Sequence, residues 1–229
     1  MLKIYGAPVS VHTRKVLIVA NSKGLAHEVI PVVPVIPGNP PSNWRELSPT
    51  GRIPAITDGE FTVADSTAIC MYLDRAYPQH PIYPTAAREL ARSLSVELYA
   101  TEHLFRSVVR PLFHEVFVHP KIHNCPANQA VIEQVFAESI PEVFGYLDEI
   151  ASAECLAGQS ISAADFAVVS NLVTYRYCGF HLDRSRFPRL AKYFDRMINV
   201  PCIRQTLRNE TSTAASMGLN DDILKALAA

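Results

Sequence analysis

The hydrophobic pattern changes period once, at a stretch punctuated by Pro78, Pro81 and Pro84, and that change confines the chain to two unlike halves. Before it, short apolar runs alternate with helical stretches. After it, no run reads convincingly as a strand bounded by turns, and apolar residues recur at helical spacing. Such a chain folds as a mixed α/β unit beside an all-helical one. The 229 residues are enough for both.

In the first half, Leu2–Tyr5 reads as a strand ending in Gly6-Ala7-Pro8, and Ser10–Ser22 as a helix stopped by Gly24. Glu28–Val35 reads as a second strand, and Pro34, Pro37, Pro40 and Pro41 mark a loop. Trp44–Leu47 gives a helical turn. Ala55–Thr57 and Thr62–Ala64 flank Asp58-Gly59 as a hairpin, and Ser66–Ala76 is a helix. A strand–helix–strand crossover with an added antiparallel hairpin is a thioredoxin-like arrangement. The division predicted is 1–79 for this domain, 80–85 for a linker and 86–229 for the helical domain.

The second half reads as a long helix over Ala86–Phe117, with Leu90, Leu94, Leu98, Phe105, Val108, Val109 and Leu112 inward and a kink at Pro111. Asn128–Ile150 is a second helix, with Phe136 among its inward residues and a bend at Pro141. Ala163–Tyr177 is apolar almost all round and predicts a buried central helix. Arg186–Asn199 is amphipathic, Pro201 opens a short helix, Thr211–Ser216 reads as loose, and Asp221–Leu227 as a last helix.

Composition excludes more than it selects. A net charge of −1 gives no electrostatic case for a nucleic-acid or membrane partner. No apolar run approaches ~18 residues, and no secretory leader is evident, so a cytoplasmic protein is expected. Cys70, Cys125, Cys155, Cys178 and Cys202 are scattered and read as reduced thiols. His114, His119 and His123 have a poor ligand spacing around Pro120, and no metal is expected.

Three short segments carry candidate chemistry. Ser10 opens the first helix, where unpaired N–H groups favour an anion; a hydroxyl there can donate to a thiolate or simply cap the helix. Ile53-Pro54 precedes a strand; a cis bond there would turn the Ile53 N–H and C=O toward an extended peptide ligand, whereas most such bonds are trans. Asp65-Ser66 lies where strand passes into helix and suits the ammonium and carboxylate of an amino acid, or serves as an N-cap.

The order and spacing of these segments resemble the cytosolic glutathione transferases over essentially the whole chain, in particular the bacterial-type, serine-containing theta-, phi- and zeta-like members. The resemblance implies that Ser10 stabilises the glutathione thiolate and that Ile53, beside Pro54, pairs with the cysteinyl backbone. It implies that Asp65 with Ser66 holds the γ-glutamyl end, and that Arg52 approaches the glycyl carboxylate. The acidic residue is usually Glu; here it is Asp65. Ser162 to Asp165, with Ile161 and Phe166, resembles the family's folding signature and has capping-box and staple spacing. No cysteine stands at or beside position 10, which disfavours disulfide-reductase chemistry. Tyr5 is a rival hydroxyl, within strand one.

Tyr99, His103, Arg106, Arg110 and His114 share one helix face, opposite the apolar one. The resemblance places that helix beside the second-substrate site; otherwise the stripe is a solvated face. The enzyme implied uses glutathione as co-substrate, conjugates it to an electrophile in detoxification, and forms a homodimer near Arg75, Arg88 and Arg92. A glutathione-dependent peroxidase, reductase or isomerase, or a non-catalytic carrier or interaction protein on the same fold, is the alternative.

Overall fold

The computed structural model describes residues 1–36, 38–151 and 155–228; Pro37 of the expected loop lies outside them. Strands β1 (Leu2–Tyr5), β2 (His27–Ile30), β3 (Ala55–Asp58) and β4 (Phe61–Ala64) form one mixed sheet in the order β2-β1-β3-β4. β1 and β2 are parallel, so the chain must cross over between them, and helix α1 (Val11–Ser22) makes that crossing. β3 runs antiparallel to β1, and β4 closes the hairpin. β2 stops at Ile30, short of the expected Val35, because Pro31 and Pro34 bring no N–H to a ladder. Helices α2 (Trp44–Leu47) and α3 (Ser66–Ala76) complete this half, a thioredoxin-like domain.

The other half is helical. Residues 87–122 form one continuous helix, α4, that alternates between α (Ala87–Leu98, Arg110–Phe113) and π (Tyr99–Val109, His114–Ile122) hydrogen bonding. Helix α5, residues 129–150, likewise carries a π stretch, Val135–Ser139, between α stretches. Pro111 and Pro141 each stand just after a π stretch, and Pro120 lies inside one. A helical proline lacks one donor and presses on the carbonyl four residues back, and the wider π turn relieves both. There follow α6 (Ala163–Tyr177), α7 (Pro188–Met197), α8 (Pro201–Asn209), α9 (Thr211–Ser216) and α10 (Asp222–Ala228). Thr211–Ser216 is thus a helix, not a loose segment.

Two expected inward residues are exposed: Leu98 at 49% and Phe136 at 37%. On the first stretch of α4 the buried residues are Ser93, Val96 and Glu97, so the inner face is partly polar and apolar periodicity alone picks the wrong side.

One core runs through both halves. Ile4, Ile18 and Leu73 belong to the same packed cluster as Leu104, Val168 and Leu172, and every residue of α6 except Arg176 is buried. Strand alternation sends Ile56 to this core and Ala55 to a smaller one with Val32 and Trp44. Between β1 and α1 the chain passes very close to itself. A Cβ on Gly6 would collide with the buried side chain of Thr13, so only glycine fits there.

Candidate functional site

Three loops leave the sheet from one row of residues. Tyr5 pairs with Ala55, and Ala55 with Ala64. Gly6–Ser10 follows Tyr5, Ile53-Pro54 precedes Ala55, and Asp65-Ser66 follows Ala64. The strand register therefore gathers the three candidate segments at one end of the sheet.

Ser10 is the N-cap of α1 by position, with extended dihedrals, yet its hydroxyl makes no capping hydrogen bond. Its backbone is held instead: its N–H donates to Ala7 C=O at 2.9 Å, and its C=O accepts from Arg14 N–H at 2.8 Å. The half-buried hydroxyl is left unpaired among the described residues, at a helix end rich in unpaired N–H groups. The rival Tyr5 packs near Trp44, ring centroids 6.3 Å apart, with its hydroxyl 3.4 Å from Thr57 Oγ1.

The Ile53–Pro54 peptide is cis. Neither the N–H nor the C=O of Ile53 has a hydrogen-bond partner among the described residues. The approach to it is pinned by Trp44 Nε1 donating to Gly51 C=O at 3.0 Å and Ser48 Oγ donating to Arg52 C=O at 2.6 Å. The Arg52 side chain is exposed and forms no ion pair among the described residues.

Asp65 caps α3: its Oδ1 accepts from Thr67 N–H at 2.9 Å and Ala68 N–H at 3.1 Å. Its Oδ2 stays open among the described residues. The backbone of Asp65 has φ 80°, a conformation non-glycine residues rarely hold and one that concentrates at functional sites. Ser66 is 4% exposed, and its hydroxyl and first-turn N–H have no protein partner among the described residues.

Sequence reading missed what braces these loops. Arg14 and Lys15, adjacent on α1, are 0% and 1% exposed. Arg14 Nε meets Glu210 at 2.9 Å, Nη1 donates to Ser170 C=O and Thr174 Oγ1, and Nη2 donates to Val9 C=O at 2.8 Å, one residue before Ser10. Lys15 Nζ meets Glu97 at 2.7 Å and donates to Thr67 Oγ1 at 3.0 Å, one residue past Ser66. Tyr83 and Tyr177 donate to Glu97 and Glu210. Both anions come from the helical half. The available signal was two cations embedded among Val11 and Val16–Ala20.

His12 was also missed. Two residues past Ser10, its half-buried ring lies edge-on to Phe105 of α4, centroids 4.6 Å apart. Burial, then the charges of Lys15 and Arg52, pull its pKa down from 6.5 to about 4, against the opposing pull of Asp65.

Of the α4 stripe, Tyr99 packs against His103 and against Tyr146 of α5, and His103 lies 3.4 Å from Glu142. Arg106 pairs with Glu102 at 2.6 Å on the surface. Arg110 is exposed, and His114 is held below its ordinary pKa by burial and then by Arg110. Among the described residues no hydrogen bond, ion pair or ring contact joins these five to Ser10, Ile53, Asp65 or Ser66. Phe105, on the apolar face of α4, is the residue beside this stripe whose ring meets α1, at His12. Among the described residues no three potential metal ligands converge, and no helix is long and apolar enough to cross a membrane.

Residues 4–81 match the model of the glutathione S-transferase N-terminal domain, and residues 113–210 that of the glutathione S-transferase C-terminal domain. The chain is 32% identical to glutathione S-transferase 3 of Zea mays over 72% of its own length and 73% of the relative's. It is 26% identical to glutathione S-transferase Z2 of Arabidopsis thaliana over 90% of each. The fold superposes on human glutathione S-transferase T1-1 with a TM-score of 0.82 at 23% identity, covering 96% of this chain and 91% of that one.

Proposed function

The chain belongs to the glutathione S-transferase family of conjugating enzymes, and from that premise we propose where it holds and activates glutathione. The Ser10 hydroxyl donates to the glutathione sulfur at the N-terminus of α1. Hydrogen bonding and the helix dipole favour the thiolate, lowering a thiol pKa of ~8.5 toward neutrality. The unpaired N–H and C=O of Ile53 pair with the cysteinyl backbone of glutathione in β fashion. Asp65 Oδ2 receives the γ-glutamyl ammonium, and the Ser66 N–H and hydroxyl receive its carboxylate. Arg52 extends toward the glycyl carboxylate.

The observation that carries this reading is the Ser10 hydroxyl, which stands at a helix N-cap and caps nothing. The thiolate then attacks an electrophilic carbon held beside α4, with Tyr99, His103, Arg106, Arg110 and His114 along one wall. A C–S bond forms, the electrophile takes the electron pair or loses its leaving group, and the thiol proton passes to solvent. We further propose a cytoplasmic homodimer, with Arg75, Arg88 and Arg92 near its interface, that detoxifies electrophiles.

Calorimetry with glutathione, followed by turnover of an aryl halide, tests the site. Wild type binds saturably, and Ser10→Ala keeps binding while kcat falls about 10²-fold, the loss expected for one donor to a developing or resident anion. No binding at millimolar glutathione overturns the enzyme reading and leaves a carrier on this fold.

A further inference from the structure

His12 lies on α1 where that helix faces α4. It lies two residues beyond Ser10, on the first turn of α1, and its ring meets Phe105 of α4. The charges acting on it are those of Lys15 on α1, Asp65 at the start of α3 and Arg52 just before Ile53-Pro54. No protein group among the described residues hydrogen-bonds either ring nitrogen. A half-buried imidazole two residues from Ser10, facing the helical half and without a hydrogen-bond partner among the described residues, has a donor to spend.

We propose that His12 is a further catalytic residue, whose ring N–H hydrogen-bonds the oxygen of an electrophile on which negative charge develops, and that α,β-unsaturated carbonyl compounds are the substrate class this favours. The inference rests on the glutathione site proposed above. In the step, the thiolate forms a C–S bond to the β-carbon, and the C=C electrons move to give an enolate oxygen. His12 stabilises that oxygen without giving up its proton, and the α-carbon then takes a proton from water, balancing the one lost from the thiol.

The surroundings suit a charge appearing at that oxygen. The α1 N-terminus and the exposed Arg52 are positive, Lys15 is positive but paired with Glu97, Asp65 is the opposing charge, and Phe105 packs edge-on to the ring. The same two cations, with burial, keep the imidazole neutral at physiological pH. The hydrogen bond therefore needs no protonation step.

The test compares two electrophiles that share the thiolate step: a simple enone, which develops charge on oxygen, and benzyl chloride, which has no oxygen. His12→Phe keeps a ring against Phe105 and removes the donor; His12→Gln keeps a donor. In His12→Phe, enone kcat/KM falls about 10²-fold while benzyl chloride turnover changes less than about threefold, and His12→Gln recovers most of the enone rate. Equal losses on both substrates, or none, overturn the proposal. Should His12→Phe not fold, the wild-type enone-to-chloride rate ratio decides, because thiolate ionisation cancels in it. A ratio flat from pH 5.5 to 8 is expected, and one that rises as pH falls through 6.5 overturns the neutral donor. Calorimetry of each variant with glutathione separates the two failures. Wild type that does not bind glutathione sinks the site reading, whereas tight binding with unselective loss sinks only the role of His12.

Discussion

Arg14 shows how much a single side chain can settle. All three guanidinium nitrogens are engaged, with Glu210, Ser170, Thr174 and Val9, and none of it touches water. Removing the anion alone strands a buried cation, so Glu210→Gln is expected to lower unfolding free energy by about 3–5 kcal/mol in a urea titration. Arg14→Lys keeps the charge but cannot reach four acceptors from one nitrogen. Because one of those acceptors is the carbonyl preceding Ser10, the loss should appear in kcat more than in KM. His12 supplies the pH dependence. Its folded pKa lies near 4 against 6.5 when unfolded, so the unfolded chain binds the proton first as pH falls. The stability it contributes is complete above about pH 6.5 and drains away down to pH 4. His12→Gln should therefore lose less stability than wild type across that window, by about 2–3 kcal/mol, in denaturant titrations at pH 7 and pH 4.5.

At the scale of an element, α6 depends on one carboxylate at its start. Asp165 accepts from Ser162 N–H at 2.8 Å, as a capping box requires, and also from Leu156 N–H at 2.9 Å and the Tyr193 hydroxyl at 2.9 Å. Asp165→Ala leaves those three buried donors unpaired. At roughly 1–3 kcal/mol each, the variant should unfold at least 3 kcal/mol more easily, while Tyr193→Phe, which removes one donor, should cost far less. The box and its helix were legible in the sequence because both depend on residues within one turn. Tyr193 and Leu156 were not, since their meeting depends on how α7 and the preceding loop pack. The same division holds elsewhere. Ser10, Ile53-Pro54 and Asp65-Ser66 could be read because each marks a boundary between strand, turn and helix. The inner face of α4 could not, because apolar spacing is blind to Ser93, which donates to Ser162, and to Glu97, which receives Lys15. The π stretches defeated the reading further along, since a fixed turn per residue no longer says which side chains share a face.

Across the whole molecule, the sheet and the helices are coupled by charges placed inside a common core. Glu97 and Glu210 reach from the helical half to Lys15 and Arg14 of α1, while Lys23 is held by Asp74 and by the carbonyls of Tyr77, Gln79 and His80 as the chain leaves α3. Neither half can separate without baring α1, whose apolar residues Val16, Ile18 and Val19 belong to the shared cluster and whose two cations would lose their counter-charges. The two halves should therefore unfold together. The single tryptophan makes this measurable, because Trp44 sits in the small core of the sheet, whereas most of the helix lies beyond residue 86. In wild type, tryptophan fluorescence and far-ultraviolet dichroism should give coincident urea transitions. In Glu97→Gln/Glu210→Gln the apolar interface survives and the amide oxygens can still accept from Tyr83 and Tyr177, but both cations of α1 lie buried without an anion, a penalty that falls on the contact between halves. The fluorescence transition should then move to lower urea than the dichroism transition. Transitions that shift together by the same amount would instead mean that the apolar core alone enforces cooperativity, and that the buried ion pairs serve only to hold the loops carrying Ser10 and Ser66.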